Sequence, residues 1–516
     1  MNTLYLEHHI NRLWKKIYPN SKIAFISCFF IGLLTHLFML TNKLPNHDDI
    51  KQIVDDMARP TSGRWFLFLP TSFSSDFSLP WVNGLLCLFY ISVSAAIVVK
   101  CLHIKSSFNS VLIGGIMITF PTVCTTLSYM NSADGYFFAL LLACIAVYLA
   151  DKYPLGFLPS ILLITLSLGI YQAYFPFAIA LAVGVLLRTI IVVPLPRFFI
   201  VKASKFIVFL ALGLLLYMII TKAIPTELSS YMGIDKMGEF NLSELPAMVI
   251  GSYQNTFEFF FFKTMNLDLY ALRHMILATM FFIVGLPIYT HKLYLSKLNL
   301  IFYLLLIITL PISCNLIYIM STSYTPHILM IYSFVMIFIT LLSLFEMSCD
   351  AMANQTSSLR FKNLSFATFT WGISFLFVLL IFNYSILSNQ AYFKLYLTYE
   401  QSYAYSNRLL SRIENIDGFS SDCHVYFIGQ PSMQVDDIVA TPAVNNLTGI
   451  ISDISASYSY HLFLEYYLGN RTLITPTYFE PPESDDFLLE FNLEDMPTYP
   501  DDDSIKKIGR NIVVKF

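Results

Sequence analysis

A pair of adjacent carboxylates lies close behind the first long apolar run of the sequence. The stretch NHDDIKQIVDDMARPTSGRWFLFLP covers residues 46–70 and closely follows the apolar run 23–41. A carboxylate that is held where a membrane meets water can act as a general base on a substrate hydroxyl. Because neighbouring residues of a helix point about 100° apart, only one of Asp48 and Asp49 can face a given substrate.

The same stretch also has a purely structural explanation. Asn46 is a good helix N-cap, and acidic residues in a first turn are favoured by the helix dipole. The apolar residues recur at helical spacing, at Ile50, Ile53, Val54 and Met57. This spacing predicts a short helix that lies on the membrane surface and ends at Pro60. A structural role for one carboxylate and a catalytic role for the other are compatible.

Three further candidate residues, Arg64, Trp65 and Asp134, lie beside apolar runs. Arg64 and Trp65 can anchor their loop at the membrane interface, and Arg64 can alternatively place its guanidinium on a phosphate. Asp134 stands just ahead of an apolar run, where it is either a helix cap or a second polar wall of the same site. The residues alone leave these alternatives open.

An aromatic block precedes two basic residues in the stretch NTFEFFFFKTMNLDLYALRH. Four consecutive phenylalanines suit a segment that is anchored among lipid headgroups. They equally suit a groove for a polyprenyl chain, with Lys263 or Arg273 on its phosphate. His327, which opens a later apolar run, is either a hydrogen-bonded structural residue or a catalytic one.

The composition places all these residues in a membrane protein. The chain has 516 residues, of which 56% are hydrophobic, 16% aromatic and 13% charged, and its mean hydropathy is +0.63. No ordinary soluble domain has such a composition. The net charge of −3 gives no overall basic field, so nucleic acid is not an expected partner.

About eleven apolar runs are long enough to cross the hydrocarbon of a bilayer, which is about 30 Å thick. They lie near 23–41, 80–99, 109–128, 136–150, 155–170, 174–193, 204–223, 273–290, 298–320, 326–345 and 364–388. The continuous stretch 155–193 is too long for one helix. We divide it at 171–173, because Pro176 suits the first turn of a new helix.

Basic residues alternate between successive connections. They occur in the amino-terminal segment and in every second short loop, whereas the loops 129–135, 171–173 and 321–325 have none. Basic loops remain cytoplasmic. The amino terminus is therefore predicted to be cytoplasmic, behind a retained signal-anchor helix. The long segments 42–79, 224–272 and 389–516 are predicted to lie outside.

The chain changes character at about residue 389. The segment AYFKLYLTYEQSYAYSNRLLSRIENI and the later SYSYHLFLEYYLG have helical patterns, while HVYFIG and RNIVVKF have strand patterns. We therefore predict an all-α polytopic membrane domain over 1–388 and a small periplasmic α/β domain over 389–516. No metal motif, glycine-rich phosphate loop or Ser-His-Asp order occurs, and no CxxC spacing indicates a metal or redox site.

Several short strings together resemble the polytopic O-antigen glucosyltransferases of serotype-converting phages and their bacterial relatives. These strings are NHDD after the first span, GRW in the first outer loop and SLGIYQAYFPF near the centre, followed by an outer α/β tail. The resemblance implies a GT-C type fold with its active site at the outer membrane face. It also implies that a carboxylate of the first outer loop is catalytic, which points to Asp48 or Asp49, with Asp49 favoured.

The resemblance further implies the substrates. The donor would be undecaprenyl-phosphate glucose, and the acceptor would be a sugar hydroxyl of lipid-linked O-antigen at the periplasmic face of the bacterial inner membrane. A donor synthase and a donor flippase would be its functional partners. Tyr171, Gln172 and Tyr174 match the central string, and their place in the topology predicts that they line the site.

This reaction agrees with what the residues offer. It needs an apolar groove for the polyprenyl chain, one or two bases for the phosphate, and a carboxylate for the incoming hydroxyl. A single displacement would invert the anomeric carbon. No cofactor is expected, and a divalent metal is optional because the leaving phosphate is already stabilised.

Two other functions compete with this reading. An O-antigen polymerase or ligase is also polytopic, but is expected to depend on outer arginines more than on an acidic pair beside the first span. A non-enzymatic transporter of lipid-linked sugars predicts charged or broken helices at mid-membrane and dispensable carboxylates at positions 48 and 49.

Overall fold

Helices form most of this chain, as a computed structural model shows. The structure describes residues 6–54, 59–193, 195–229, 243–263, 270–320, 326–355, 360–431, 439, 441–450, 459–477 and 493–516. Long apolar helices pack around one large core, and a small sheet with its own core lies beyond the last long helix.

The helices of the first half include α3, which carries the acidic pair. They are α1 (Leu6–Lys16), α2 (Pro19–Thr41), α3 (His47–Lys51), α4 (Phe68–Ser72), α5 (Pro80–Cys101), α6 (Ser107–Thr119), α7 (Pro121–Leu127), α8 (Met130–Lys152), α9 (Phe157–Ile170) and α10 (Phe175–Val192).

Among the described residues, the longest helix and the strands lie in the second half. Its helices are α11 (Pro196–Ala223), α12 (Leu245–Glu258), α13 (Tyr270–Thr290), α14 (Lys297–Cys314), α15 (Leu316–Met320), α16 (Val335–Gln355), α17 (Arg360–Glu414), α18 (Pro442–Asn445) and α19 (Tyr460–Tyr466). The strands are β1 (His424–Ile428), β2 (Leu473–Thr477), β3 (Ile505–Ile508) and β4 (Asn511–Lys515).

The predicted spans correspond to helical segments. Within the described ranges, 8 helices are long and apolar enough to cross a membrane, and α6 with α7 forms a further span if this pair, bent by 43°, counts as one. The predicted spans 155–170 and 273–290 correspond to shorter apolar helices, Phe157–Ile170 and Ala278–Thr290. The prediction of a polytopic helical membrane protein with a small α/β region is confirmed.

The division of the stretch 155–193 is also confirmed. Helix α9 ends at Ile170, a single 3₁₀ turn covers Gln172–Tyr174, and α10 begins at Phe175 with a proline in its first turn. Proline is tolerated there because the first amides of a helix have no intrahelical partner.

The predicted domain boundary at 389 lies inside one uninterrupted helix. Helix α17 runs from Arg360 to Glu414, through the composition change. No glycine or proline occurs between Gly372 and Gly418, so nothing in the local sequence breaks the helix. The last span and the first predicted tail helix are thus a single element.

The tail forms a four-stranded sheet with the order β2-β1-β4-β3. Strand β1 is parallel to both β2 and β4, and β3 pairs with β4 as an antiparallel hairpin. Helix α19 and the end of α17 cover this sheet with apolar side chains that include Leu409, Ile413 and Phe463. Both strands expected from sequence, HVYFIG and RNIVVKF, are present as β1 and β4.

The short helix of the first loop differs from its prediction. Helix α3 ends at Lys51, and Ile50 is fully buried in the core of the tail domain together with Leu409 and Phe427. The expectation that this apolar stripe faces the membrane is therefore wrong for Ile50. Val54 is half-exposed, and Met57 lies outside the described residues.

Replacing Ile50 should loosen the tail domain from the first loop. Ile50→Ala removes a buried side chain, for which a loss of about 2–5 kcal/mol is typical. The expected result is a lower thermal unfolding midpoint in detergent and faster proteolysis of the tail. The control is Val54→Ala, which truncates a half-exposed neighbour. Equal effects of the two substitutions would contradict the contact.

Candidate functional site

The first loop begins with a complete capping box. The Asn46 side chain accepts hydrogen bonds from the backbone amides of Asp48 (2.9 Å) and Asp49 (3.0 Å), while the Asn46 amide donates to Asp49 Oδ2 (3.2 Å). Asn46 Nδ2 also donates to the carbonyl of Ser128 at 2.6 Å. The predicted cap is confirmed, and it fixes α3 against the end of α7.

Asp49 is buried inside the protein, with 4% of its surface exposed. Its Oδ1 accepts a hydrogen bond from the backbone amide of Asn131 at 3.1 Å and a short one from the Ser78 hydroxyl. Burial raises the pKa of Asp49 to about 6, although the bonds from Ser78, Asn131 and Asn46 and the charge of Lys43 oppose the shift. This carboxylate joins three segments of the chain.

Lys43 and a tail residue complete the surroundings of Asp49. Lys43 Nζ donates to the carbonyl of Ser78 at 2.9 Å and lies 6.0 Å from the ring centre of Tyr467. Burial lowers the pKa of Lys43, and the Asp49 charge opposes that effect. The hydroxyl of Tyr467 is buried and has no hydrogen-bond partner among the described residues. The tail therefore contributes directly to the environment of Asp49.

Asp48 has the opposite character. Its side chain is 26% exposed, and Oδ1 lies 3.7 Å from His47 Nε2. The Asp48 charge also acts on the Arg64 guanidinium. Adjacent positions of a helix point in different directions. Asp49 is turned into the protein, and Asp48, the preceding residue, therefore remains partly accessible.

Arg64 lies against a stacked pair of tyrosines. The rings of Tyr136 and Tyr171 are 4.1 Å apart and nearly parallel, at 14°. Arg64 Nη1 donates to the Tyr136 hydroxyl at 2.7 Å, and the guanidinium carbon lies 4.9 Å from the Tyr171 ring centre. Its Nε is buried and makes no hydrogen bond to a described residue. Asp48, Arg64, Tyr136 and Tyr171 are called the Asp48–Arg64 cluster below.

The two strings GRW and LGIYQ dock onto each other. The Trp65 ring lies on Gly169, its Nε1 donates to Thr221 Oγ1 at 3.2 Å, and the amide of Phe66 donates to the Gly169 carbonyl at 2.8 Å. Gly63 has φ +69°, a conformation that favours glycine. Trp65 therefore anchors the loop to α9 and α11 through contacts within the protein.

Gln172 and Tyr217 hold the preceding turn of the same loop. Gln172 Nε2 donates to the Ser62 carbonyl at 3.0 Å and to the Tyr217 hydroxyl at 2.8 Å. The Tyr217 hydroxyl in turn donates to the Gly63 carbonyl at 3.2 Å. Gln172 and Tyr217 thus hold Ser62 and Gly63, the two residues that precede Arg64.

Asp134 is buried on the first turns of α8, with 1% of its surface exposed. Its Oδ1 accepts a hydrogen bond from Asn83 Nδ2 at 3.2 Å, and the same amide group lies 3.2 Å from the Ser74 hydroxyl. Asn131, which binds Asp49, lies one turn earlier on the same helix. Asp134 therefore connects α5 to α8 one helical turn from the residue that binds Asp49.

The remaining predicted residues lie outside this cluster. Tyr174 is buried among aromatic rings, 5.7 Å from Tyr171 and 5.9 Å from Tyr332. His327 precedes a 3₁₀ turn at Ile328–Met330, and partial burial lowers its pKa. The side chains of Lys263 and Arg273 lie outside what the structure describes.

Several participants had no signal in the sequence. Ser78, Asn83, Tyr136, Tyr217 and Tyr467 are ordinary residues in polar or apolar stretches, and they reach the site only through the packing of separate helices. Lys43 could have been noticed, because it is the one basic residue between the first span and the acidic pair.

The phenylalanine block lines an apolar cavity of about 370 Å³. Phe259, Phe260 and Phe261 are buried by the protein and so do not lie among lipid headgroups. Phe260 packs edge-on against Phe338 of α16, with ring centres 5.0 Å apart. Residues of α12, α13, α14 and α16 form the other walls. Such a cavity is suited to a hydrocarbon chain.

Among the residues that the structure describes, no group of three or more His, Cys, Asp or Glu side chains could hold a metal ion.

These features define a polytopic membrane protein with a polar cluster between helix ends and an apolar cavity among its helices. The family model described as Glucosyl transferase GtrII matches residues 37–338. This is more than half of the chain, and the protein belongs to that family. It is therefore a membrane glycosyltransferase, as the resemblance predicted. No curated protein and no solved structure matches it.

The stability of the protein should depend on pH through Asp49. Its pKa in the folded state, about 6, lies above its ordinary value of 3.8. The folded state therefore holds the proton more tightly, and this stabilisation is present at low pH and is lost as pH rises through about 6. The loss is on the order of 3 kcal/mol.

Thermal unfolding in detergent measures this dependence. Between about pH 4 and pH 7 the wild-type midpoint should fall, and Asp49→Asn should make this fall smaller. Asp48→Asn, one residue away and accessible, is the matched control and should retain it. A slope as steep in Asp49→Asn as in wild type would assign the dependence to other groups.

A methyl group at Gly169 should displace the first loop. The added Cβ of Gly169→Ala would lie 2.7 Å from Trp65 Cζ2, a distance that requires the indole to move. Because Arg64 adjoins Trp65, transferase activity should fall about tenfold or more. Gly285→Ala, whose Cβ would meet nothing within 4 Å, is the control. Full activity of the Gly169 variant would show that this docking is dispensable.

Proposed function

We propose that the protein transfers glucose from undecaprenyl-phosphate glucose to a sugar hydroxyl of lipid-linked O-antigen at the periplasmic membrane face. The protein is a member of a glucosyl transferase family. The observation that carries the proposal is that the Asp48 carboxylate acts electrostatically on the Arg64 guanidinium. One residue can accept a proton and the other can hold a phosphate.

Arg64 is suited to the phosphate of the donor. Its guanidinium is fixed by the stacked rings of Tyr136 and Tyr171, and one hydrogen bond to Tyr136 leaves the rest of the planar fork for a ligand. Burial lowers the pKa of Arg64, but the neighbouring Tyr136, Tyr171 and Asp48 raise it overall, so the group stays cationic. A fixed arginine fork binds phosphate oxygens in pairs.

Asp48 is the better base of the acidic pair. A general base must come within hydrogen-bond reach of the hydroxyl that it deprotonates. Asp49 is buried and already accepts hydrogen bonds from Ser78, Asn131 and Asn46. Asp48 is partly exposed on the same turn. We therefore assign the base to Asp48 and a supporting role to Asp49, the reverse of the order favoured by sequence.

The polyprenyl chain of the donor is proposed to use the cavity beside the phenylalanine block. The cavity lies between helices of the membrane bundle, and its lining is almost wholly apolar. Phe259 contacts Phe120, which directly precedes α7, with ring centres 5.5 Å apart. Helix α7 leads to Ser128, the residue bound by Asn46. A packed path thus joins the proposed lipid cavity to the first loop.

The proposed reaction is a single displacement. The acceptor oxygen attacks the anomeric carbon, its proton passes to the Asp48 carboxylate, and the bond from that carbon to the lipid phosphate oxygen breaks. The phosphate leaves with the electron pair of that bond and is held by Arg64. The anomeric configuration inverts, and neither water nor a redox cofactor takes part.

The orientation in the bacterial inner membrane is part of the proposal. The Asp48–Arg64 cluster lies beside the short connections 129–135 and 171–173, which contain no lysine or arginine. Lys100, Lys105 and Arg188 lie in or beside the opposite connections. By the positive-inside tendency the cluster faces the periplasm and the amino terminus the cytoplasm.

Transfer by purified variants tests the assignments. With undecaprenyl-phosphate glucose and lipid-linked O-antigen, wild type should add one hexose to the repeat. Asp48→Asn should lower kcat about 10²–10⁴-fold, because the proton acceptor is lost. Arg64→Lys keeps the charge but loses the fork, and should raise the KM for the donor about tenfold. Mass spectrometry identifies the added hexose, and the amount of product formed over time gives kcat and KM for each variant.

The outcomes separate the alternatives. Asp417→Asn, an exposed carboxylate of the tail, is the control and should be fully active. If wild type adds no hexose, the donor and acceptor are wrong. If Asp49→Asn is inactive at an unchanged unfolding midpoint while Asp48→Asn is active, the base is Asp49. If both variants are active, neither carboxylate is the base.

A further inference from the structure

A second polar cavity lies at the helix ends opposite the Asp48–Arg64 cluster. Its volume is about 400 Å³, and it is bounded by the end of α5, the connection to α6 and parts of α10, α13 and α16. Its charged and titratable lining residues are His103, Lys105, Arg188, His291, Glu346 and Asp350. None of these residues has a role in the glycosyl transfer proposed above.

Both carboxylates of this cavity are already engaged. Glu346 accepts hydrogen bonds from the backbone amides of Lys105 (2.5 Å) and Ser106 (3.2 Å) and from Asn109 Nδ2 (2.8 Å). It thereby holds the two residues that precede α6 and a side chain of the first turn of α6. Asp350 Oδ2 accepts a hydrogen bond from Lys105 Nζ at 2.9 Å. Their charges are therefore committed to α6 and to Lys105.

Arg188 has no comparable partner. Its side chain is half-buried on α10, and no described residue forms a hydrogen bond or ion pair with its guanidinium. Asp151, which acts on Arg188 electrostatically, forms its own ion pair with Lys202 at 2.7 Å. A guanidinium that is partly withdrawn from water without an anion is costly. The cavity therefore has a cationic site that the protein itself leaves unfilled.

The walls indicate what kind of anion fits. Leu102, Val192 and Met347 give the cavity an apolar side next to the guanidinium. Helices α10 and α16 are candidate spans, so the cavity lies at a membrane surface. Phosphate is the anion whose oxygens match an arginine fork, and phospholipid headgroups present it at this depth.

We propose that this cavity binds a phosphate group, with Arg188 as its main ligand. The apolar wall favours the phosphate of an anionic phospholipid over a free anion. The site would attach the ends of α5, α10, α13 and α16 to one headgroup at the face opposite the glycosyl transfer. It is independent of the identity of the sugar substrates.

Lipid retention by the purified full-length chain tests the site. Native mass spectrometry after incubation with dioleoylphosphatidylglycerol should show a retained lipid, and dioleoylphosphatidylcholine should be retained less. Arg188→Gln should weaken retention of phosphatidylglycerol about tenfold or more, as loss of a charge-assisted contact implies. Arg197→Gln is the matched control, since Arg197 is exposed at the start of α11 on the same face, and should retain the lipid like wild type.

Inorganic phosphate distinguishes the two sources. If phosphate alone raises the unfolding midpoint of delipidated protein in an Arg188-dependent way, the site takes a free anion. If only phosphatidylglycerol does so, it takes a headgroup. If Arg188→Gln does not fold, Arg188→Lys replaces it, and retention several-fold below wild type is expected because the fork is lost. Equal retention by wild type, the Arg188 variant and Arg197→Gln would overturn the proposal.

Discussion

The buried carboxylate of Asp49 is the interaction on which the geometry of the first loop depends. It accepts hydrogen bonds from the capping residue of its own helix, from Ser78 at the start of α5 and from the first turn of α8. These segments are far apart in sequence. Burying such a charge is unfavourable unless every lone pair is satisfied. The three hydrogen bonds form only when all three segments are in place. The Asp49 carboxylate therefore couples the loop to the helix bundle.

This arrangement gives the acidic pair two separate duties. Asp49 is turned inward and helps to fix where the helical turn lies, and Asp48 is left partly exposed, where its charge acts on the Arg64 guanidinium. The stacked rings of Tyr136 and Tyr171 likewise hold the long, flexible side chain of Arg64 in one position. Reactive groups that are held by buried neighbours need less reorganisation when a substrate arrives. In the proposed mechanism, neighbouring residues thus serve folding and catalysis separately.

Much of the architecture could be predicted from sequence, because hydrophobic runs and breaker residues act locally. The spans, the division before Phe175 and the cap at Asn46 all depend on residues close together in the chain. The tertiary relations could not be predicted this way. Ile50 satisfies a helical stripe, yet its partner is a tail domain more than 350 residues later. Gln172 matched a family string, but its contact with the Ser62 carbonyl requires α9 to meet the first loop.

The site was predicted in part for the same reason. Asp48, Asp49, Arg64 and Asp134 are charged residues beside apolar runs and stand out by type. Tyr136, Tyr217 and Tyr467 are common residues that matter only through their neighbours in space. The choice between the two carboxylates depends on which of them is buried, and periodicity alone states only that they diverge. The catalytic roles themselves stay predictions.

The uninterrupted helix α17 has a geometric consequence for the tail. A helix advances about 1.5 Å and turns about 100° for each residue. The membrane part of α17 packs against α2 and α6, while its far end forms part of the tail core that encloses Ile50. The number of residues between these contacts therefore sets the rotational phase of the whole tail. A chain one residue longer or shorter there would present a different side of the tail to the first loop, so length in this helix is under the same geometric constraint as residue type in the site.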